Sequence, residues 1–439
     1  MTKKNEGRSA RFAITAVIAA VALSACDILT VSDPQRYTAS DLDQALPAVA
    51  NGVEGAVQEV IDSWVVYNAL LGDTYQHTGT WAGYDETDHG RFQYATSQMD
   101  GTQNALLRAR WFAGDAEERF ERVLEGAAAT SELMAQVHMS EAMADLYIGM
   151  AFCESPAVAD GPAVSDMAIL QQAVEKFTKA IATAQSAGTN DYLNASYGGR
   201  ATANMLLGNY TAASADAGMV PDGYSYEAIF NQQSLNSIVQ LTTKGFNEAG
   251  GLMYKWWDMI DNSGDKSSYF HDPLTGDFDT RLPVWFDGEI ATDNETPHYS
   301  QYKYDREISA IPMIHSDGMK LIQAEALVMS NDFAGATDIL NDLRAAVGLG
   351  PHDVPTSMDG MMDILLWERF AEHFMEGMRM IDLHRFDMVA EVFGALNDGA
   401  GDPERPANGR PTQFSLTDTE PTYNAQITND LASRCLPKT

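Results

Sequence analysis

Between Ile364 and Phe386 two patterns overlap. Ile364, Trp367, Ala371, Phe374 and Met378 recur at intervals of three and four residues, which predicts one apolar face of a helix. Among them run charges: Glu368, Arg369, Glu372, Glu376, Arg379, Asp382 and Arg385. Carboxylates four apart on a helix repel. The pattern therefore predicts a buried or half-buried ion-pair network in which Arg369, Arg379 and Arg385 relieve the three glutamates. Other stretches also read as helices. From Thr102 to Cys153 helix formers dominate, and Gly126 and the Ser131 region divide that run in two. Ser165 is placed to cap a helix carrying Leu170, Val174, Phe177, Ile181 and Ala184 on one face, with Gly188 as its stop.

The segment Ala201–Ala213 has an echo at Ala324–Ala336, with one residue inserted. Both resemble the middle of a tetratricopeptide repeat, where a small residue lets two helices approach. The second is followed by Ile339, Leu340, Leu343 and Val347 at helical spacing, then Gly348. Such hairpins stack into a continuous core. The fold class expected is mainly α, a tetratricopeptide-like helical scaffold over about 102–215 and 313–395. Residues 219–312 differ: glycines and prolines interrupt them throughout, and they hold Trp256, Trp257, Tyr269, Trp285, Phe286, Tyr299, Tyr302 and Tyr304. Long loops this rich in aromatics predict a loop-rich ligand-binding subdomain.

Length and charge narrow the function. The 439 residues, 45% of them hydrophobic, allow one large domain or two to three smaller ones. With 62 acidic against 28 basic side chains, the formal charge is −34. Such a chain repels nucleic acid and anionic membrane, which removes polynucleotide partners. The acids are scattered, which fits a soluble surface in salty surroundings better than one acidic site.

The N-terminus carries Lys3, Lys4, Arg8 and Arg11, then an apolar run from Phe12 to Leu23. That run is shorter than the ~20 residues a bilayer span needs; residues 1–25 read as a signal peptide. Leu23-Ser24-Ala25-Cys26 resembles a lipobox, which implies cleavage before Cys26 and a lipid on it. The alternative is a plain secretory signal with a chance cysteine. Asp27 is a residue that in some bacteria holds lipoproteins in the inner membrane. Cys153 and Cys435 remain, either bridged, as export permits, or as two buried thiols.

In order and spacing, Glu368-Arg369, Glu372, Glu376-Gly377, Arg379, Asp382-Leu383 and Arg385-Phe386 resemble the C-terminal signature of the SusD/RagB family. Asp279-Thr280-Arg281-Leu282, Tyr302-Lys303-Tyr304, Lys320–Ala326, Leu340–Arg344 and the tail from Thr419 to Asn424 resemble its other elements. Phe386 stands where tryptophan is common, and His373 replaces a usually apolar neighbour. The resemblance is firm from about 195 to 430 and thin from 27 to 130. It implies a surface-exposed lipoprotein of the outer membrane, with residues 26–439 forming a SusD-like domain. Such a protein binds an oligosaccharide or peptide and hands it to a TonB-dependent transporter of the SusC type. The alternatives are an assembly lipoprotein whose repeats bind proteins and, ranked last, a glycan-processing enzyme.

Catalysis finds no support in the sequence. Arg369 stands where the inverted zinc motif needs a histidine before Glu372-His373. Glu368, Glu372 and Glu376 lack the Glu-x-x-His pairs of a di-metal centre. His271, His298 and His315 have no partner at useful spacing, and no cofactor or metal is expected. A sugar presents a C–H face and a polar rim, so capture favours flat aromatics beside carboxylates. Two segments supply these: Trp81, Tyr84, Asp85, Asp88 and His89, and Trp256, Trp257, Asp258 and Tyr269. Ligand contacts are expected from Trp81, Tyr84, Asp88, Trp256, Trp257 and Tyr269. At least one of the adjacent tryptophans must be packing, because sequence neighbours point different ways.

The lipobox makes the first prediction. Cys26→Ala moves the protein from the detergent phase to the aqueous phase of a partitioning assay; unchanged partitioning would exclude the anchor.

Overall fold

The computed structural model describes residues 38–91, 97–243, 245–260, 269–417, 419–427 and 435, apart from the side chains of 97, 98 and 287. The signal peptide and Cys26 lie outside the described residues. The chain divides at Leu46. In the first unit Thr38 caps helix Ala39–Asp43 reciprocally with Asp41.

In the second unit, α1 (Leu46–Gln58) leads to α2 (Ile61–Leu71), which is buried on nearly every side. The helices α4 (Ser97–Leu124) and α5 (Glu132–Ala151) are split by a 3-10 turn from Glu125 to Thr130, at the break expected around Gly126 and Ser131. α6 (Asp166–Ala187) follows. Its first turn is capped by Ser165, whose hydroxyl accepts from the Ala168 N–H at 3.3 Å, and Gly188 closes it. Then come α7 (Asn190–Leu206) and α8 (Tyr210–Ala217). After the middle region the scaffold resumes with α9 (Ser316–Met329), α10 (Phe333–Ala346), α11 (Met358–Glu372) and α12 (Arg379–Arg385). Each of α5 to α10 packs on the next, and α11 on α9. This is a mainly α, tetratricopeptide-like stack. Close approach is set by small residues: a Cβ at Gly199 of α7 would lie 2.2 Å from the Phe177 ring of α6. Among the described residues no helix is long and apolar enough to cross a membrane.

Short strands, not evident in the apolar pattern, organise the rest. β1 (Tyr75–His77) precedes α3 (Ala82–Asp88), in a stretch that shows no helical period. β2 (Glu154–Pro156) and β3 (Ala163–Ser165) form a hairpin beside α5 and α6. β4 (Ser225–Ala228) pairs with β9 (Ile311–His315), which runs directly into α9. β5 (Gly250–Leu252) pairs antiparallel with β1, joining Tyr75 to Leu252 and His77 to Gly250. β6 (Tyr269–His271), β7 (Phe278–Ile290) and β8 (Pro297–Gln301) make one sheet with β7 in the centre. One hydrophobic core runs from α2 through α5–α7 to β5 and α11, and a second cluster lies between α9, α10 and α11. Cys153, just past α5, is bonded to Cys435, with their Cα atoms 6.1 Å apart.

The Gly199–Phe177 contact gives the second prediction. Gly199→Ala forces the two helices apart and costs ~1–3 kcal/mol, the range for overpacking a filled core. Urea unfolding with an unchanged m-value and a lowered midpoint is the expected result.

Candidate functional site

α2 ends at Leu71, and the chain turns through Gly72 to Asp73, whose side chain is fully buried. Three segments far apart in sequence meet there. Arg379 donates from Nε to Oδ1 at 2.6 Å and from Nη2 to Oδ2 at 2.8 Å. Lys255 donates to Oδ2 at 2.7 Å, and the Trp256 Nε1–H donates to the Asp73 carbonyl at 2.5 Å. Burial pushes the Asp73 carboxyl up, but Arg379 and Lys255 outweigh it and hold it below the usual carboxylate range. Trp256 stacks on Phe370 of α11, centroids 4.9 Å apart. The C-terminal helices, the early segment and the middle region are thus fixed to one another at a single carboxylate.

Two residues past Asp73, β1 begins, and its partner β5 lies against β8. This platform presents a face of aromatic rings. Trp81 stands at the start of α3, 46% exposed, stacked on Tyr84 with centroids 5.4 Å apart. Tyr84 is buried beneath it against Tyr67, and burial pushes its hydroxyl up to about 12. Asp88 is fully buried: it accepts from the His77 N–H at 2.9 Å and from Nε of Arg405 at 2.7 Å. Nη1 of Arg405 reaches Asp402 at 2.9 Å, and Asp402 accepts from the Tyr254 hydroxyl at 3.2 Å.

Tyr254 meets Trp257 edge-on at 6.5 Å. Trp257 stacks on Tyr299 at 4.9 Å, and Tyr299 on Phe286 at 5.0 Å. These three rings are half-buried, and the Trp257 Nε1–H is held by the Leu252 carbonyl at 2.9 Å. A contact path therefore runs from α3 through Asp88, Arg405, Asp402 and Tyr254 to the Trp257–Tyr299–Phe286 stack. The half-buried carboxylate of Asp85, beside His89 at 3.2 Å, and the exposed ones of Asp258 and Glu404 rim it.

The structure places the expected residues unequally. Trp81, Tyr84, Asp88 and Trp257 are joined through this path. Trp256 is turned inward between Phe270 and Phe370. Tyr269 sits on β6, half-buried, its ring 6.1 Å from that of Tyr302. Tyr254, Phe286, Tyr299, Asp402 and Arg405 join the path in addition to the expected contacts. Phe286 and Tyr299 face each other across β7 and β8, a cross-strand pair that needed the strand register to be found.

The glutamates of the signature segment are neutralised, but not by the expected arginines. α11 stops at Glu372, so Glu376 is not a third rung. It lies in a turn through Met375 (φ 55°) and Gly377 (φ 79°). Glu368 pairs with Arg344 at 2.7 Å, Arg281 at 2.8 Å and His352 at 3.0 Å. Glu372 has Arg281 at 3.4 Å, and burial raises its carboxyl. Glu376 is met by Lys303 at 2.8 Å, His373 at 2.9 Å and His315 at 3.0 Å. Arg369 and Arg385 instead hold Glu325 of α9 and Asp382. Neighbouring residues on a helix point about 100° apart. Arg369 therefore turns to α9, while Glu368 turns to Arg281 of β7 and Arg344 of α10.

His315 is not the isolated histidine that its spacing suggests. It is the N-cap of α9: Nδ1 accepts from the Gly318 N–H at 3.2 Å, and Nε2 faces Glu376. The possible ligand atoms of His315, His373 and Glu376 all lie within 4.8 Å of one another. Their hydrogen bonds argue for a clamp on the carboxylate, not for a cation site. With Nδ1 accepting, the neutral ring carries its proton on Nε2, and Lys303 already occupies the other Glu376 oxygen. Burial alone would lower His315, but Glu376 outweighs it and holds the ring above its ordinary value.

Residues 319–433 match the model of the SusD family. No curated protein matches the chain in sequence. Among solved structures, a SusD superfamily protein from Bacteroides vulgatus superposes with a TM-score of 0.67 at 14% identity, over 88% of this chain and 98% of its own. A SusD-like carbohydrate-binding protein from the same species gives 0.63 at 16% identity, over 90% and 98%. A laminarin-binding SusD-like protein gives 0.61 at 14% identity, over 88% and 98%.

The Asp73 junction gives the third prediction. Arg379→Ala leaves Asp73 with Lys255 alone, and breaking a buried pair costs ~3–5 kcal/mol. Asp73, Glu376 and Asp382 all titrate below their ordinary values in the folded chain. Their contribution is complete above pH ~5 and is lost as pH falls below ~4. Thermal melts from pH 6 to 3 read both effects. A loss below ~1 kcal/mol for Arg379→Ala would make the pair a solvated one.

Proposed function

We propose that this chain, which belongs to the SusD/RagB family by its C-terminal sequence and its fold, is a nutrient-binding protein. It is a surface-exposed lipoprotein of the outer membrane, anchored through Cys26. It captures an oligosaccharide, or a peptide, and passes it to a TonB-dependent transporter of the SusC type. The observation that carries the reading is the aromatic face: Trp81 on Tyr84, and the Trp257–Tyr299–Phe286 stack, with exposed carboxylates at the rim.

The chemistry of the face suits a sugar. Ring faces attract C–H groups of a pyranose, and carboxylates accept its hydroxyl protons. Trp81 is the strongest candidate contact because its ring is both supported from below and open above. Trp257 and Tyr299 form the second platform. Tyr84 and Asp88 support the face from beneath, Asp88 by fixing Arg405. Trp256 and Tyr269 complete the set as packing residues of the middle region. The carboxylates of the signature segment are engaged with cations and histidines, so binding without bond cleavage is the simplest activity for such a molecule.

Glycan affinity tests this reading. Wild type, Trp81→Ala and Trp257→Ala are titrated calorimetrically against a panel of oligosaccharides and peptides. Loss of one platform is expected to weaken binding about tenfold, which is ~1.4 kcal/mol. Undiminished affinity of folded Trp81→Ala for a ligand that the wild type binds would move the site elsewhere.

A further inference from the structure

A second concave surface lies apart from the aromatic face. It is an open groove of about 610 Å³ between α4, α5, α6, the β2–β3 hairpin and the tail around Tyr423. Three of the most exposed large apolar side chains of the described residues converge on it: Tyr423 (83%), Val158 (63%) and Trp111 (60%). Such side chains commonly scatter singly on a surface, whereas these three line one groove.

The rim discriminates between ligands. Its charged and amide donors already serve the protein. Arg110 donates to Asp145 at 3.2 Å and to the Pro156 carbonyl at 2.7 Å. Lys176 bridges Glu141 and Asp145. The amides of Gln172 and Asn424 donate to the Ala157 and Gly161 carbonyls. What remains of charge is anionic. Glu118 and Asp160 have no cation partner among the described residues. Burial raises the carboxyl of Glu420, half-enclosed at the groove floor. A neutral sugar brings no counter-charge to these carboxylates, although the Trp111 indole N–H and the Tyr423 hydroxyl would give it two donors. A lysine or arginine supplies that charge from the ligand side, and the Trp111 and Tyr423 rings add cation–π faces.

We infer that this groove docks a basic segment of a partner protein, with lysine or arginine flanking an apolar side chain. The groove is open, which leaves room for a bound segment to extend past its edges. Glu118 and Asp160 take the cations, and Val158 with Trp111 takes the apolar side chain.

The probe is the end-blocked peptide acetyl-Lys-Leu-Lys-Arg-Leu-Lys-amide carrying a fluorophore, followed by anisotropy with the purified chain. The double variant Glu118→Gln/Asp160→Asn and the single variant Trp111→Ala each weaken binding tenfold or more. The control Asp338→Asn/Asp342→Asn removes two exposed charges on α10 and leaves affinity within twofold; peptide binding that is lost in Trp81→Ala would lie on the aromatic face and overturn the inference. Binding that responds equally to the control pair is attraction to the general surface charge and overturns the inference. So does an oligosaccharide that binds the wild type and is lost in Trp111→Ala, which would make the groove a glycan subsite. Circular dichroism confirms that each variant is folded.

Discussion

Buried charge must be paired, and that constraint organises this molecule. Moving one ion out of water costs several kcal/mol even after relaxation, yet Arg344, Arg369, Glu325, Glu368 and Asp73 are almost completely enclosed. Each persists because a partner arrives from a different part of the chain. Asp73 binds the early segment to Lys255 and Arg379. Glu368 binds α11 to β7 and α10, and Glu325 binds α9 to α11 and α12 through Arg369 and Arg385. Apolar packing is tolerant of sliding; a bidentate arginine is not. The ion pairs therefore fix the register in which the apolar faces meet.

The same constraint bears on the surface. The chain has 28 basic side chains, four of them before residue 12. Arg281, Arg344, Arg369, Arg379, Arg385, Arg405 and Arg410 all lie in the interior or at its edge. These arginines are thus enclosed wholly or in part, while acids such as Glu118, Asp160, Asp338 and Asp342 stay exposed. Scattered acids and an enclosed lattice are two sides of one distribution.

Local signals in the sequence were legible because their causes are local. Ser165 and Gly188 bound α6 through hydrogen bonds within a few residues. The split at Gly126 and the stop at Gly348 are backbone effects of the same kind. The signature segment could be recognised as a buried network, but its partners could not be read. Glu368 finds Arg281, 87 residues earlier, through a strand that has no apolar alternation. His315 looked isolated because Glu376 and His373 reach it only after α9, α10 and α11 have folded back. The middle region looked like loops because its strands are three to five residues long, β7 apart. At the candidate site, the aromatic types were visible and their sorting was not.

That sorting follows from the Asp73 junction. Lys255, Trp256 and Trp257 are consecutive, and a 3-10 turn separates their side chains around the axis. Lys255 and the Trp256 indole N–H are both drawn to Asp73, one to its carboxylate and one to its carbonyl. With those two directed inward, Trp257 is turned the other way, onto Tyr299 and the sheet surface. Asp73 also sets where β1 starts, and β1 in turn places α3 and Trp81. Both platforms of the aromatic face thus take their position from one fully buried carboxylate. Arg379, far along the sequence in the C-terminal signature, holds that carboxylate from the opposite side. The signature segment accordingly belongs to the scaffold by location and to the aromatic face by consequence.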